Sequence, residues 1–300
     1  MRYSQLRAFH YVALYGGFSH AAGVLNQTQP ALSDQVKRLE QTHDTLLFHR
    51  DRRQIHLTKA GEGLFRLTKQ FFEIEQGIGE YLGKSQSAIT GTLRIIADSA
   101  LHITDAISHF RQHHPKVFLS IQTGNTQEVL TRLRNYDAEV GVVGNHPAAK
   151  ELDAFNLGQT PIIAITAKGF LPENQDALAF SDLPNWPLVF REVGSRTRAN
   201  LEEVAQGQKL RLKPVIEVDG REAMREVVAS GAGIGFVSEA EYGHDDRLQR
   251  LKITGINLKM VETLIHLKMR RDVPVIRAFM RSVHQVTANP ASGVIDATSD

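Results

Sequence analysis

Over the first 85 residues apolar positions recur every three or four residues, the period of helices with one buried face. Leu6, Phe9, Val12 and Ala13 share a face of a helix over 4–15, which Gly16-Gly17 ends. Ala21, Ala22 and Leu25 do the same for a short helix over 19–26, with Ser19 as its N-cap and Phe18 as the apolar staple before it. Asn26-Gln27-Thr28 makes a tight turn. Pro30 suits the first turn of the next helix, where its missing N–H is not needed. In that helix Leu32, Val36 and Leu39 point inward. Residues 46–57 read as a hairpin with Arg50-Asp51-Arg52-Arg53 near its tip.

A long helix follows over 58–87, capped by Thr58. Leu64, Leu67, Phe71, Ile74, Ile78 and Tyr81 repeat along it with alternating spacings of three and four, a heptad seam. Such a seam on a solitary connecting helix calls for a partner, and a second copy of the chain is the expected one. The alternative is that the stripe lies against its own domain. Residues 85–88 read as a short hinge.

From Gly91 the pattern changes to alternating strands and helices. Strands are expected over 93–97, 117–122 and 138–143, with helices over 101–112 and 126–135. A second unit holds strands over 161–167, 188–191, 213–218 and 235–237, with helices over 197–206 and 221–230. A strand over 260–267 and a helix over 274–286 return to the first unit. This order predicts an α/β domain with a largely parallel sheet. The expected division is 1–58, a mainly α winged helix-turn-helix; 59–88, a linker and dimerisation helix; and 89–287, a two-lobed α/β domain. Lobe 1 is placed at 89–160 and 265–287, lobe 2 at 161–264, and a small, polar, disordered tail at 288–300.

Charge sharpens this division. The whole chain carries a formal +2, but residues 1–60 hold eight Lys/Arg against four Asp/Glu, a net +4, and the remainder is at −2. The basic excess therefore sits on the helix-turn-helix segment, where phosphates would be neutralised. No run of about 18 apolar residues predicts a membrane span. The N-terminus lacks the apolar block of a signal peptide, and there are no cysteines, which fits the cytoplasm and excludes disulfides and thiolate metal sites.

Two helices joined by a tight turn, followed by a basic hairpin, form the arrangement that places a helix in the DNA major groove. The polar face of the second helix carries Gln29, Ser33, Lys37 and Arg38, residue types that pair with base edges or phosphate. Arg50, Arg52 and Arg53 would straddle the backbone or reach the minor groove. A small helical hairpin with a solvated polar face is the plainer alternative.

In two-lobed α/β domains ligands sit at the carboxyl ends of strands. Four loops have that placement: Asp98-Ser99-Ala100, Gly124-Asn125-Thr126, Gly144-Asn145-His146-Pro147 and residues 192–198. In the last, Gly194 lets backbone come close. Ser195 and Thr197 supply hydroxyls, a helix start supplies N–H groups, and Arg196 and Arg198 add charge, which together make an anion cradle. Ordinary capping with solvated arginines is the alternative. Asp98 and Asp219 either pair with those arginines or receive an ammonium group. Residues 231–235 stand in the wrong order for a dinucleotide loop, and the histidines show no metal-binding spacing. No cofactor is expected. An enzyme using Ser195 as nucleophile lacks a nucleophile elbow, and only His146 offers a base.

Phe18-Ser-x-Ala-Ala, Gln29-Pro-Ala-Leu-Ser-x-Gln-Val-x-x-Leu-Glu, Leu47-Phe-x-Arg and Leu57-Thr-x-Ala-Gly61, in this order, resemble the LysR-type transcriptional regulators over residues 1–287. The resemblance implies a winged helix-turn-helix joined by a linker helix to an effector domain similar to periplasmic solute-binding proteins. It also implies a dimer, or a tetramer, that bends double-stranded promoter DNA, with RNA polymerase as a further partner. Carried over, Gln29, Pro30, Ser33 and Lys37 become base and groove contacts, and Arg50, Arg52 and Arg53 wing contacts; Ser19 and Arg38 are further expected DNA-facing positions. By their place in the strand-end loops, Asp98, Ser99, Ala100, Asn125, Thr126, Asn145, Ser195, Arg196, Thr197, Arg198 and Asp219 are the expected effector positions. The effector is expected to be a small anion or zwitterion. A faint further similarity to members linked to aminoethylphosphonate breakdown offers one candidate. An architectural DNA binder without a ligand is the other reading.

Overall fold

The chain folds into two units, Met1–Ser87 and Ala88–Asp300, each packing mainly on itself. The computed structural model describes residues 1–51, 54–82, 89–145, 149–172 and 175–288. Arg52, Arg53, the hinge at 85–88, the His146-Pro147 loop and the tail from 289 onward lie outside them, as do the side chains of Arg50 and Tyr81.

The first unit contains α1 (Tyr3–Tyr15), α2 (Phe18–Leu25), α3 (Gln29–Thr42), a hairpin of β1 (Phe48–Asp51) and β2 (Gln54–Leu57), and α4, described over Lys59–Leu82. Phe9, Val12, Ala21, Leu32, Val36 and Phe48 meet in one core. Thr28 caps α3, its Oγ1 accepting from the Ala31 N–H, and Pro30 occupies the first turn. Ser19 is not the cap of α2. Phe18 is already its first residue and Gly17 its N-cap, so Ser19 sits exposed inside the first turn. The reason is Phe18 itself: its ring is buried in the core, and helical backbone at that position is what turns it inward.

Buried Glu40 fixes the hairpin to α3, accepting from the Leu47 and Phe48 N–H groups at 2.8 and 3.2 Å. Gly61 lets the start of α4 lie on the same segment, since a Cβ there would run into the Leu47 carbonyl. Helix α4 has two apolar faces. Phe65, Thr68 and Phe72 turn toward α1, where His10 packs against Phe72 at 4.5 Å and bonds Thr68 Oγ1 at 3.0 Å. Leu67, Phe71, Ile74, Ile78 and Leu82 form the other face and are exposed, while Leu64 is half-buried against the unit's own core.

The second unit holds β3 (Gly91–Ala97), α5 (Thr104–His113), β4 (Val117–Thr123), α6 (Thr126–Arg134), β5 (Val140–Gly144) and β6 (Leu152–Ala167). It continues with β7 (Ala177–Ala179), β8 (Leu188–Arg191), α7 (Arg196–Gly207), β9 (Pro214–Val218), α8 (Arg221–Ala229), β10 (Gly235–Ser238), β11 (Leu248–Thr254), β12 (Lys259–Leu267) and α9 (Pro274–Ala288). Strands run in the order β4-β3-β5-β12-β6-β11-β7, with β10 also on β6 and β8-β9 as a separate pair.

The sheet is mixed rather than largely parallel. Strand β3 pairs parallel with β4 and β5, but β12 is antiparallel to both β5 and β6, and β10 and β11 are antiparallel to β6. Strand β6 starts nine residues before the strand expected at 161, because its first half pairs with β12 in lobe 1 and its second half with β10 and β11 in lobe 2. Thus β6 and β12 carry the chain across between the lobes, with a register shift between Glu262 and Thr263.

Side-chain alternation covers both faces of each lobe. In lobe 1, Ile95 packs beside Phe110 and Phe279, whereas Ile96 packs against Val129 and Leu133 of α6. In lobe 2, Ala164 and Phe190 meet Leu201 of α7, and Ile165 and Val189 meet Met224 and Val228 of α8. Both lobes are therefore sheets covered on two sides, and their helix starts and strand ends converge where the lobes meet.

Candidate functional site

On the first unit the polar face of α3 stands as its periodicity predicts. Gln29, Pro30, Lys37 and Arg38 are exposed and Ser33 is half-buried, opposite Leu32, Val36 and Leu39 in the core. Arg38 is bridged by Asp34 one turn earlier at 2.9 Å, both of them well exposed, so the pair is weak and its guanidinium is easily released to another anion. Ser19 is exposed on α2, and Arg50 lies in β1.

Where the two lobes of the second unit meet, charge is concentrated and buried. Asp98, at the end of β3, bonds Arg191 Nη1, at the end of β8, at 2.8 Å; both side chains are more than nine-tenths buried. Arg191 also bonds Glu192 at 2.8 Å. Arg221, at the start of α8, donates to the Asp98 carbonyl at 2.6 Å and bridges Glu241 at 3.0 Å. Burial by itself would lower the Arg191 pKa, but Asp98 and Glu192 more than offset it and keep the guanidinium charged. Burial pushes the Glu262 carboxyl on β12 up to about 7, with His102 acting in the opposite direction.

Beside this network two helix starts face each other. Gly194, at φ +104°, brings the loop before α7 so close to Asn125 that a Cβ would sit 3.1 Å from the Asn125 amide. Asn125 caps α6, accepting from the Glu128 N–H at 3.1 Å while Glu128 accepts from the Asn125 N–H. The hydroxyls of Thr126 and Ser195 and the amide nitrogen of Asn200 are buried and have no hydrogen-bond partner among the described residues. Buried hydroxyls without a partner are costly, and a polar ligand is one way to satisfy them.

Other expected effector positions are placed differently. Asn145, at φ +44°, exchanges two hydrogen bonds with Val261 of β12, which commits its side chain to the backbone. Arg196 is held by Glu203 at 3.1 Å, and Arg198 by Glu202 at 2.8 Å and Glu217 at 2.5 Å. Ser99 and Thr197 are buried, Ala100 is half-buried, and Asp219 is exposed on the turn after β9. The arginines that meet Asp98 are thus Arg191 and Arg221 rather than Arg196 and Arg198. Arg191 did leave a trace, as a charged residue closing the apolar run Leu188-Val189-Phe190.

Residues 3–62 match the family described as bacterial regulatory helix-turn-helix protein, lysR family, and residues 86–288 match the LysR substrate binding domain. The chain is 27% identical over 281 residues to the HTH-type transcriptional activator CmpR of Synechocystis sp., covering 92% of each chain. It resembles full-length CbnR complexed with its target DNA, with a TM-score of 0.65 and 18% identity over 95% of this chain and 99% of that one. It also resembles the regulatory domain of Synechocystis CcmR in complex with 2-PG, with a TM-score of 0.60 and 20% identity over 67% of this chain and 99% of that one.

Proposed function

The chain belongs to the LysR family and is a DNA-binding transcriptional regulator with an effector-binding domain, and from that premise we propose that its effector is a small anion held between the lobes by Ser99, Asn125, Thr126 and Ser195. The observation that carries this reading is the pair of buried, unpartnered hydroxyls on Thr126 and Ser195 at two facing helix starts. Free N–H groups and the positive ends of α6 and α7 favour negative charge there. Arg196 and Arg198 are paired with Glu203, Glu202 and Glu217, so the helix starts rather than these arginines supply the positive field. The network of Asp98, Arg191, Arg221 and Glu241 ties lobe 2 to the end of β3, so a ligand that alters it alters the interlobe geometry.

The remaining parts of the reading follow from the first unit. Gln29, Pro30, Ser33, Lys37 and Arg38 face the major groove, Ser19 its flank, and Arg50, Arg52 and Arg53 the backbone or minor groove. The exposed stripe of α4 joins two copies, and pairs of dimers act on the promoter, with RNA polymerase as a further partner. The domain limits at 58, 88 and 287 belong to the same proposal, as does a cytoplasmic location. Among the described residues no helix is long and apolar enough to cross a membrane. Among the described residues Ser195 Oγ has no hydrogen-bond partner, and His146, the one base the sequence offers it, lies outside them.

A thermal-shift panel of phosphate, sulfate, mono- and dicarboxylates, phosphonates and aminoethylphosphonate tests the effector reading. A ligand at about 100 times its Kd stabilises by about 2.7 kcal/mol, a shift of a few degrees. The shift should shrink sharply in Ser195→Ala. A flat panel, or a hit indifferent to Ser195→Ala, refutes the site.

A further inference from the structure

We infer that His102, Glu241 and Glu262 form a binding site for a divalent first-row transition-metal ion of the Zn2+ type, bridging the two lobes. The three residues come from three different places. His102 lies in a short 3-10 turn after β3 in lobe 1. Glu241 ends a 3-10 turn after β10 in lobe 2. Glu262 lies on the crossing strand β12, at its register shift. One ligand atom from each can be chosen so that all three lie within 4.8 Å of one another.

The distances favour coordination over hydrogen bonding. His102 Nε2 stands 3.6 Å from Glu262 Oε1 and 3.9 Å from Glu241 Oε1, too far for hydrogen bonds. A tetrahedral ion with ligands at about 2.1 Å spaces its ligand atoms about 3.4 Å apart. These side chains therefore stand nearly at the edges of an ion's coordination shell. Both His102 Nε2 and Glu262 Oε2 are buried and have no hydrogen-bond partner, and Glu262 is only 4% exposed. Arg221 also bridges Glu241 Oε1 at 3.0 Å, so an ion would share that oxygen with the guanidinium.

Charge points the same way. Asp98, Glu192, Glu241 and Glu262 meet the guanidiniums of Arg191 and Arg221 here, and a divalent ion would offset carboxylate charge that these two leave unpaired. One imidazole with two carboxylates suits Zn2+, Co2+ or Mn2+, leaving a position open for water. Because its ligands come from both lobes and the crossing strand, the ion would fix the interlobe angle independently of any effector. The inference rests on these residues alone and not on the anion site at Thr126 and Ser195.

The test uses the full chain, stripped with a chelator and titrated with Co2+ alone while its visible d–d absorption is followed. Saturation at one Co2+ per chain is expected, with displacement by Zn2+. His102→Gln and Glu262→Gln should each weaken binding by about 10-fold or more. Glu241→Gln, tested alongside, keeps the site testable should one variant fail to fold. His109 and His113 stack one turn apart on α5 and could capture an ion themselves. A His109→Gln, His113→Gln variant should leave the saturating signal intact. Absence of binding, equal binding in the folded His102→Gln and Glu262→Gln variants, or loss of the signal in the α5 variant each overturns the site.

Discussion

Asp98 lies more than ninety positions before either arginine that neutralises it, so no local pattern could pair them. The sequence marks the loop at 98–100 as a strand end, and the pairing arises only when β3 and β8 meet across the lobes. Breaking a buried ion pair by removing one partner costs about 3–5 kcal/mol. Arg221 still reaches Asp98, so Arg191→Met should fall near the lower limit. Trp186 is the only tryptophan and packs near Phe170 in lobe 2. Urea unfolding followed by its fluorescence should show a lower midpoint in Arg191→Met, and an unchanged midpoint would remove the network from the account. His10 supports a pH prediction in the first unit. Burial, aided by Lys69, lowers its pKa from 6.5 to about 4. The unfolded chain takes up this proton near pH 6.5 while the folded chain does not, so the stability this residue contributes is complete above pH 6.5 and is lost as pH falls toward 4. Far-UV thermal melts at pH 7.5 and 5 should show a smaller acid loss in His10→Gln than in the parent chain. An equal loss in both would place the titration elsewhere.

At the scale of elements, the three-four period found α1, α3 and α4 and their inward faces, because burial on one side leaves that signature directly. It placed Ser19 as a cap where Phe18 is already helical, since burying the Phe18 ring outweighs a capping hydroxyl. It reached only half of β6, whose alternation over 152–160 depends on pairing with the distant β12. Helix α4 shows what a single stripe hides. One face packs on α1 through Phe65 and Phe72, and the other leaves Leu67, Phe71, Ile74 and Ile78 in solvent. An exposed apolar stripe of this length marks an interaction surface. Charging it with Leu67→Glu and Ile74→Glu should convert the assembly to single chains in sedimentation velocity while the unit's helical content is kept. A double variant that sediments like the parent assembly would assign the stripe another partner.

For the whole molecule, two units with different chemistry are joined in one chain: a basic, exposed helix face in the first and a buried, charged junction in the second. Strand and helix alternation is local, so the sequence carries it directly. The contents of the junction were only partly legible, since hydroxyls at helix starts have a sequence signature and long-range ion pairs have none. The central claim is that DNA and effector bind to linked states of one protein, which requires each to change the affinity of the other by the same factor. Fluorescence anisotropy of the full chain on a duplex selected from genomic fragments, with and without the ligand that stabilises it, measures that linkage directly. Binding should be at least about 10³-fold tighter than to a scrambled duplex, with a ligand-dependent change of about 5- to 150-fold. Equal affinity for the scrambled duplex, or a stabilising ligand that leaves the affinity for the selected duplex unchanged, would contradict it.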